Sequence, residues 1–388
     1  MSPEDSAHAE TYDAPLASHG LASSLSPEHM SRWVSVRKFI SFRNISAFYV
    51  LLALILLFSL WIPGLFLNAT NLRTTLLDST ITTMLGVGLC APLAAGVFDV
   101  SVGAMAGVAS VIIGVLVVNF GLPWPLALVI TVLCGVSVGI LHALLVIKLK
   151  IDSFIATLAT MSILVGVGTG IGGVNIIVGF PHTFDEFGGS SFLDIGYPVY
   201  LLILVGLAVW YVLERTVAGR WVYATGGNAE AARLAGVRTT RVITAAFLAS
   251  GAIAAFAGVV ASAELQVGEA SIGPPYLLPA FASVFLGATQ FKAGRINVWG
   301  TVLASYTLAV GVQGFLLAGA ASWVANVFDG VALAVAVGLS ARRANAARTS
   351  SSSTSRRAGG DGGPFRILAS FLPRPVASSE PKYDVAEK

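Results

Sequence analysis

The sequence predicts an all-α membrane protein, a polytopic transmembrane bundle of about ten helices with both termini cytoplasmic. Three observations support this fold class. About ten apolar stretches lie between Ala47 and Ser340, each near the length of roughly 20 residues that an α-helix needs to cross a bilayer. Apolar residues make up 55% of the chain and charged residues only 11%, against roughly 25% charged residues in a soluble domain. Basic residues also follow the spans in a regular pattern, described below.

The 388 residues divide into one membrane domain and two polar tails. We expect a flexible cytoplasmic N-terminal tail over residues 1–44, a transmembrane domain over 45–340, and a disordered cytoplasmic C-terminal tail over 341–388. The C-terminal tail has serine-rich and glycine-rich runs typical of disordered segments. The N-terminal tail lacks the basic-then-apolar opening of a cleaved signal, so the first span is expected to remain as an uncleaved anchor.

The apolar stretches place five spans on each side of a middle loop. The expected spans lie near residues 47–67, 77–97, 101–119, 125–147, 153–179, 197–213, 242–263, 276–290, 298–318 and 323–340. The eighth is short enough to suggest a tilted or re-entrant segment. An even number of spans places both termini on the same side of the membrane.

Lysine and arginine accumulate in alternate loops, as the positive-inside rule requires of cytoplasmic loops. Basic residues precede span one and follow spans four, six, eight and ten, for example Lys148, Lys150, Arg238 and Arg241. The intervening loops carry acidic residues, with Arg73 as the basic exception. The net charge of +3 therefore indicates membrane orientation rather than a nucleic-acid partner.

The longest cytoplasmic loop, between spans six and seven, contains a predicted two-turn helix. Asn228 is a good N-cap, Glu230 lies in the first turn, and Gly236 is a natural stop. A helix this short is marginal alone in water. It can become rigid by docking on a cytoplasmic partner through its alanine surface, or it can pack on its own bundle.

Asp99 lies at the break between spans two and three, where a carboxylate at membrane depth is costly unless it faces a partner or a cavity. One interpretation is an N-cap for span three, assisted by Ser101. The other is a broken helix lining a pathway, which Pro92 shortly before it favours.

Two further groups of polar residues are candidates for lining a translocation pathway. Ser153, Thr157 and Thr160 share one face of span five, and Asn175 lies further toward the outside. Asn326 and Asp329 share a face near the outer end of span ten. The hydroxyl groups could instead bond to their own backbone carbonyls. His142 and His182 lack neighbours at metal-ligand spacing, so no metal site is expected.

Five stretches resemble the permease subunits of ATP-binding cassette importers, specifically the ribose-type monosaccharide branch. They are residues 98–105, 154–161, 226–236, 286–301 and 323–339, which together span nearly the whole membrane domain. The resemblance implies that the loop between spans six and seven couples to an ATPase subunit. The residues of this coupling loop are Gly227, Asn228, Glu230, Ala231, Ala232, Arg233 and Gly236.

The resemblance also implies a non-catalytic transport subunit with several partners. The chain lacks a Gly-x-x-x-x-Gly-Lys-Ser/Thr phosphate loop, so ATP and Mg²⁺ are expected to be used by a separate ATPase, with no cofactor on this chain. The implied partners are this ATPase, an extracytoplasmic sugar-binding protein, a second permease copy or paralogue, and membrane lipid. The identity of the sugar, and the choice between homodimer and heterodimer, stay open.

Two alternatives remain beside the importer. An ion-gradient-driven secondary transporter of a small polar solute would need intramembrane charges, for which Asp99 and Asp329 are the candidates. A membrane scaffold or intramembrane enzyme is the other class, but the sequence shows no paired nucleophile and base.

Overall fold

The computed structural model describes residues 46–173, 176–291 and 294–338, and within them the protein is almost entirely helical. The helices are α1 (Ser46–Trp61), α2 (Ala69–Ala94), α3 (Val102–Gly114), α4 (Trp124–Ala143), α5 (Ser153–Gly172), α6 (His182–Gly189), α7 (Tyr197–Arg215), α8 (Val217–Gly227), α9 (Ala229–Leu234), α10 (Thr239–Leu265), α11 (Leu277–Ala288), α12 (Val298–Leu317) and α13 (Trp323–Gly338). Helices α3 and α4 each continue into a π-helical turn, Val115–Asn119 and Leu144–Lys148. Two 3₁₀ turns, Ala270–Ile272 and Pro274–Tyr276, lead into α11.

Strand structure in the described residues is limited to one small antiparallel hairpin. Strands β1 (Ser191–Phe192) and β2 (Ile195–Gly196) pair Ser191 with Gly196. Leu193 and Asp194 form the turn with positive φ angles of 51° and 64°, as a two-residue hairpin connection requires.

The described residues contain eight helical segments that are long and apolar enough to cross a membrane, and two shorter apolar helices near the ends of the described region. The all-α polytopic fold predicted from the sequence is therefore confirmed. The fifth span ends at Gly172, earlier than the expected residue 179. Both tails lie outside the described residues, so the number of spans and the side of the termini stay predictions.

Helix α10 lies at the centre of the bundle, where it packs against α4, α3 and α2. Gly135 and Gly139 of α4 face the α10 backbone at Gly251 and Phe247, and a β-carbon at Gly139 would come within 2.8 Å of Leu248 Cα. This close approach explains the small residues at these positions. Gly166 and Gly170 of α5 have the same spacing, but a β-carbon at either would meet no atom of the described chain.

Helix α2 runs from one end of the bundle to the other. Its C-terminal end lies beside Gly226 of α8, and the basic loops gather at this end, which we call the basic end. Arg73, near the start of α2, pairs with Asp194 at 2.7 Å at the opposite, outer end. At the outer end Ile177 also bridges to Gly268. The positive-inside rule predicts that the basic end is cytoplasmic.

Candidate functional site: a capped coupling helix, a buried carboxylate and a polar cavity

Helix α9 has a complete cap at each end although it is only six residues long. The Asn228 side chain accepts a hydrogen bond from the Ala231 amide at 2.9 Å. At the other end the amides of Gly236 and Val237 donate to the carbonyls of Arg233 and Ala232, both at 3.0 Å. This is a Schellman motif, and Gly236 adopts the left-handed φ of +85° that the motif requires. The short helix and both of its predicted ends are as the sequence indicated.

The surface of α9 is largely exposed. Ala232 is buried against the bundle, whereas Ala231 and Ala235 are exposed and Leu234 is 78% exposed. Glu230 and Arg233 form an exposed ion pair at 2.6 Å. The hydrogen bond from Arg233 holds the pKa of Glu230 below its ordinary value. The helix therefore packs on its own bundle through one alanine and leaves a small apolar and charged face free for a partner.

Helix α8, which was not predicted, connects α9 to the transmembrane bundle. Its Gly226 lies directly against the end of α2, where a β-carbon at Gly96 would come 3.2 Å from the Gly226 Cα. The Tyr223 hydroxyl donates to the Ile296 carbonyl at 2.8 Å, and the Arg295 guanidinium lies 3.5 Å from the Tyr223 ring centre. Burial is the main cause that raises the pKa of Tyr223 to about 12, so its hydroxyl remains a donor.

Asp99 lies in the break between α2 and α3 and is almost completely buried. Its Oδ1 accepts hydrogen bonds from the Ser101 amide at 3.1 Å and the Ser101 hydroxyl at 2.7 Å. Its Oδ2 accepts from the Ser250 hydroxyl of α10 at 2.7 Å. The N-cap interpretation is wrong, because Ser101 occupies the cap position of α3 and makes no side-chain cap bond. The break between spans two and three is present, but Asp99 lines none of the described cavities.

His142 lies beside Asp99, with its Nδ1 3.9 Å from Asp99 Oδ1. The ring is buried and contacts Phe247, at 5.5 Å between ring centres. Within the described chain neither ring nitrogen has a hydrogen-bond partner. The same part of the chain contains no group of three or more metal-ligating side chains.

Two hydroxyls of α5, those of Ser153 and Thr157, bond to the backbone of this break. Ser153 accepts from the Phe98 amide and Thr157 from the Val100 amide, each at 3.1 Å. Thr157 also donates to the Ser153 carbonyl at 2.8 Å, and Thr160 donates to the Ala156 carbonyl at 2.9 Å. All three hydroxyl residues are buried. The first two contacts satisfy the Phe98 and Val100 amides, which the break would otherwise leave unpaired, whereas the last two stay within α5. Asn175 lies outside the described residues.

Asn326 and Asp329 contribute to a cavity of about 300 Å³ toward the outer end of the bundle. The cavity lies between α2, α11, α12 and α13 and also contains Asp78 and Gln313. Its remaining polar residues are Thr75, Ser79, Thr82, Tyr276 and Ser305. The structure therefore separates the predicted pathway residues into two groups. Asp99, Ser101, Ser153 and Thr157 support the helix break, and Asn326 and Asp329 line a cavity. Thr160 belongs to neither group, because its hydroxyl donates to the Ala156 carbonyl of its own helix.

Sequence reasoning missed several residues of these sites. Asp78 lies inside a span and its charge alone was a signal that could have been used. Ser250 and His142 reach Asp99 from helices 151 and 43 residues away, and nothing local in the sequence indicates those contacts. Tyr223 and Gly226 lie in the coupling loop, but their contacts depend on how α8 packs.

The described residues form a bundle of apolar, membrane-length helices with a capped, exposed helix at its basic end, which places the chain among multi-pass membrane proteins. The family model described as "Branched-chain amino acid transport system / permease component" matches residues 71–337, and the chain belongs to that family. It is accordingly a permease of the inner membrane. No solved structure matches the chain.

Curated relatives agree with this assignment. The chain is 30% identical over 297 residues to the ribose import permease protein RbsC of Bacillus subtilis (strain 168), covering 76% of this chain and 92% of the relative. It is 30% identical over 295 residues to RbsC of Escherichia coli (strain K12), covering 74% and 90%. It is 29% identical over 299 residues to the autoinducer 2 import system permease protein LsrD of Salmonella typhimurium (strain LT2), covering 74% and 90%. The resemblance to ribose-type importer permeases is thereby confirmed.

Proposed function

We propose that this chain is the membrane-spanning permease subunit of an ATP-driven, binding-protein-dependent importer that carries a ribose-like monosaccharide across the inner membrane. The observation that carries the proposal is α9, a helix capped at both ends whose face of Glu230, Ala231 and Arg233 points away from its own bundle. A helix too short to be stable alone is held rigid by its caps. It is therefore suited to receive a partner's movement without deforming.

The route for that movement runs from α9 through α8 to the break after α2. Asn228 and Gly227 join the two short helices directly, and Gly226 lies against the α2 terminus beside Gly96. The segment that follows contains Asp99, which accepts a hydrogen bond from Ser250 and is thereby connected to α10. An ATPase that binds α9 differently in its two nucleotide states would shift these contacts between two arrangements. In this proposal the ATPase subunit, not this chain, uses ATP and Mg²⁺.

The cargo class is inferred from the cavity and the relatives. A cavity of about 300 Å³ that contains Asp78, Asp329, Asn326 and Gln313 offers acceptors and amide donors for the hydroxyls of a neutral sugar. The ribose and autoinducer 2 permeases among the relatives support the same class.

The complete importer in this proposal has further subunits. A second copy of this chain or a paralogue would form the translocation path with it, and the exposed small-residue face of α5 at Gly166 and Gly170 is available for that contact. An extracytoplasmic sugar-binding protein would deliver the cargo to the outer end, where the polar cavity lies.

Reconstituted uptake tests the proposal. Proteoliposomes containing this chain, its cognate ATPase and binding protein should accumulate radiolabelled D-ribose or a competing pentose only with internal ATP and Mg²⁺. Uptake driven by a proton or sodium gradient without an ATPase would instead establish the secondary transporter, for which Asp78 and Asp329 are the intramembrane charges of the cavity.

A further inference from the structure

A second cavity lies at the basic end, between α8 and the start of α10. Its volume is about 570 Å³, larger than that of the polar cavity. Most of its wall is apolar, and its charged groups are two arginines. The lining residues are Ala218, Trp221, Val222, Gly236, Arg238, Arg241, Val242 and Ala245.

The two arginines carry positive charge that this chain does not neutralise within the described residues. Arg238 and Arg241 are both exposed, and none of the ion pairs of the described chain involves either. By contrast, Arg233 nearby is paired with Glu230. Arg238 immediately precedes α10 and Arg241 lies in its first turn, and both border the same cavity. The cavity is therefore suited to an anion.

The apolar wall decides which anion fits. Trp221 is 48% exposed and lies in the cavity with Val222, Val242 and Ala245. A free phosphate would leave this apolar surface in contact with water, whereas a phospholipid covers it with glycerol and acyl groups. Tryptophan is enriched at the membrane–water interface, and arginines on the cytoplasmic side attract anionic lipid headgroups.

We propose that this cavity binds an anionic phospholipid of the cytoplasmic leaflet, with the headgroup phosphate held by Arg238 and Arg241 and the glycerol and upper acyl chain packed on Trp221. Gly236, the residue that ends α9, also lines the cavity. A lipid held there fixes the connection between α9 and α10. Anionic lipid is thus a structural element of the basic end, independent of which solute the protein carries.

Lipid binding by the purified full chain tests this inference directly. The probe is brominated phosphatidylglycerol in detergent micelles, which quenches tryptophan fluorescence on contact, and Trp221→Phe isolates the signal of that residue. Each arginine near an anionic surface contributes about fivefold in affinity, so Arg238→Gln with Arg241→Gln should weaken the phosphatidylglycerol affinity, measured by the quenching of Trp221, by about 25-fold. Brominated phosphatidylcholine should quench Trp221 much less at equal concentration.

Arg220→Gln is the matched control, since Arg220 is exposed on α8 but does not line the cavity. It should leave the phosphatidylglycerol affinity within twofold of the unmodified chain. Three results would overturn the inference: equal quenching by both lipids, an equal loss in the control, or displacement of the lipid by inorganic phosphate at the same concentration. A fourth result would also overturn it: if the double variant keeps its lipid affinity and loses binding of the ATPase subunit, the arginines belong to the protein interface. Unchanged elution in size-exclusion chromatography establishes that each variant is folded.

Discussion

Helices α2 and α9 end in the same way, but the segments that follow them lie in opposite environments. In α2 the amides of Gly96 and Val97 donate to Leu93 and Pro92, at 3.2 and 3.0 Å. In α9 the amides of Gly236 and Val237 make the equivalent bonds, and both glycines have a positive φ, +83° and +85°. The same Schellman geometry therefore stops a helix inside the bundle and at its surface.

The difference lies in how the polar groups beyond each stop are satisfied. Beyond Gly96, Asp99 is buried and depends on hydroxyls of Ser101 and Ser250. Beyond Gly236, Arg238 and Arg241 are exposed, with water or lipid as their available partners. When its partner is removed, a buried polar group destabilises the fold by its full desolvation penalty, whereas an exposed polar group bonds to water instead. We therefore expect substitutions at the first stop to change stability, and substitutions at the second to change coupling.

The largest effect is expected for Asp99→Ala. It leaves the Ser101 and Ser250 hydroxyls and the Ser101 amide without their buried acceptor, which should lower the free energy of unfolding by about 3 kcal/mol. Asp99→Asn keeps acceptor capacity and should cost less. Thermal unfolding of the purified protein, followed by size-exclusion chromatography, measures both. Asp185→Ala is the control, because that carboxylate is exposed and its backbone φ is not positive. An unchanged Tm for Asp99→Ala would show that the buried network contributes nothing.

Gly226→Ala should give the next largest effect, because it acts on the contact between the two regions. The added methyl would overlap the Ala94 carbonyl at the end of α2, so α8 must move away, at a cost of about 1–3 kcal/mol. Gly227→Ala is a closely matched control, since a β-carbon there meets no atom within 4 Å. Tm values of the two variants should differ clearly. Equal values would mean that α8 can shift without strain.

Gly236→Ala should alter uptake more than stability. A non-glycine residue at φ +85° costs about 1–2 kcal/mol locally, enough to disturb the end of α9 without unfolding the bundle. Gly319→Ala is the control, because Gly319 has the same φ of +85° and equally open surroundings in the loop between α12 and α13. ATP-dependent uptake should fall strongly for Gly236→Ala, at equal membrane insertion, and stay near normal for Gly319→Ala. Equal uptake by both variants would contradict a coupling role for α9.

Local signals in the sequence were sufficient to predict the end of α9 at Gly236. They were insufficient to predict the contacts of the segment that follows the end of α2. Asn228, Glu230 and Gly236 carry cap and stop preferences that act within a few residues, and the structure contains the helix they predict. Pro92 and Asp99 correctly indicated a break between spans. The partners of Asp99 could not be predicted, because Ser250 reaches it only through the packing of α10 against α3 and α4.

The fold class followed from span length and composition, whereas the cavities depend on packing. The shared helix face of Asn326 and Asp329 predicts a polar patch, and the structure adds Asp78 and Gln313 from α2 and α12. Helix α8 was missed because its pattern is short and is interrupted by glycine. Its position is set by tertiary contacts, in which Tyr223 donates to Ile296 and Gly226 lies on α2.

The smallest stability effect is expected for Glu230→Gln, which isolates the exposed charge of α9. Glu230 makes its ion pair with Arg233 on a surface open to water, so Tm at pH 7 should stay unchanged. The Arg233 hydrogen bond lowers the pKa of Glu230 below 4.5, so the pair persists above that pH and is lost only as the pH falls through the lowered pKa. Uptake at pH 7 should nevertheless decrease, because the partner ATPase would meet a neutral side chain and an unpaired Arg233. Asp152→Asn is the control, because it neutralises a second exposed carboxylate at the basic end. Normal uptake by Glu230→Gln would show that the partner recognises the shape of α9 rather than its charge.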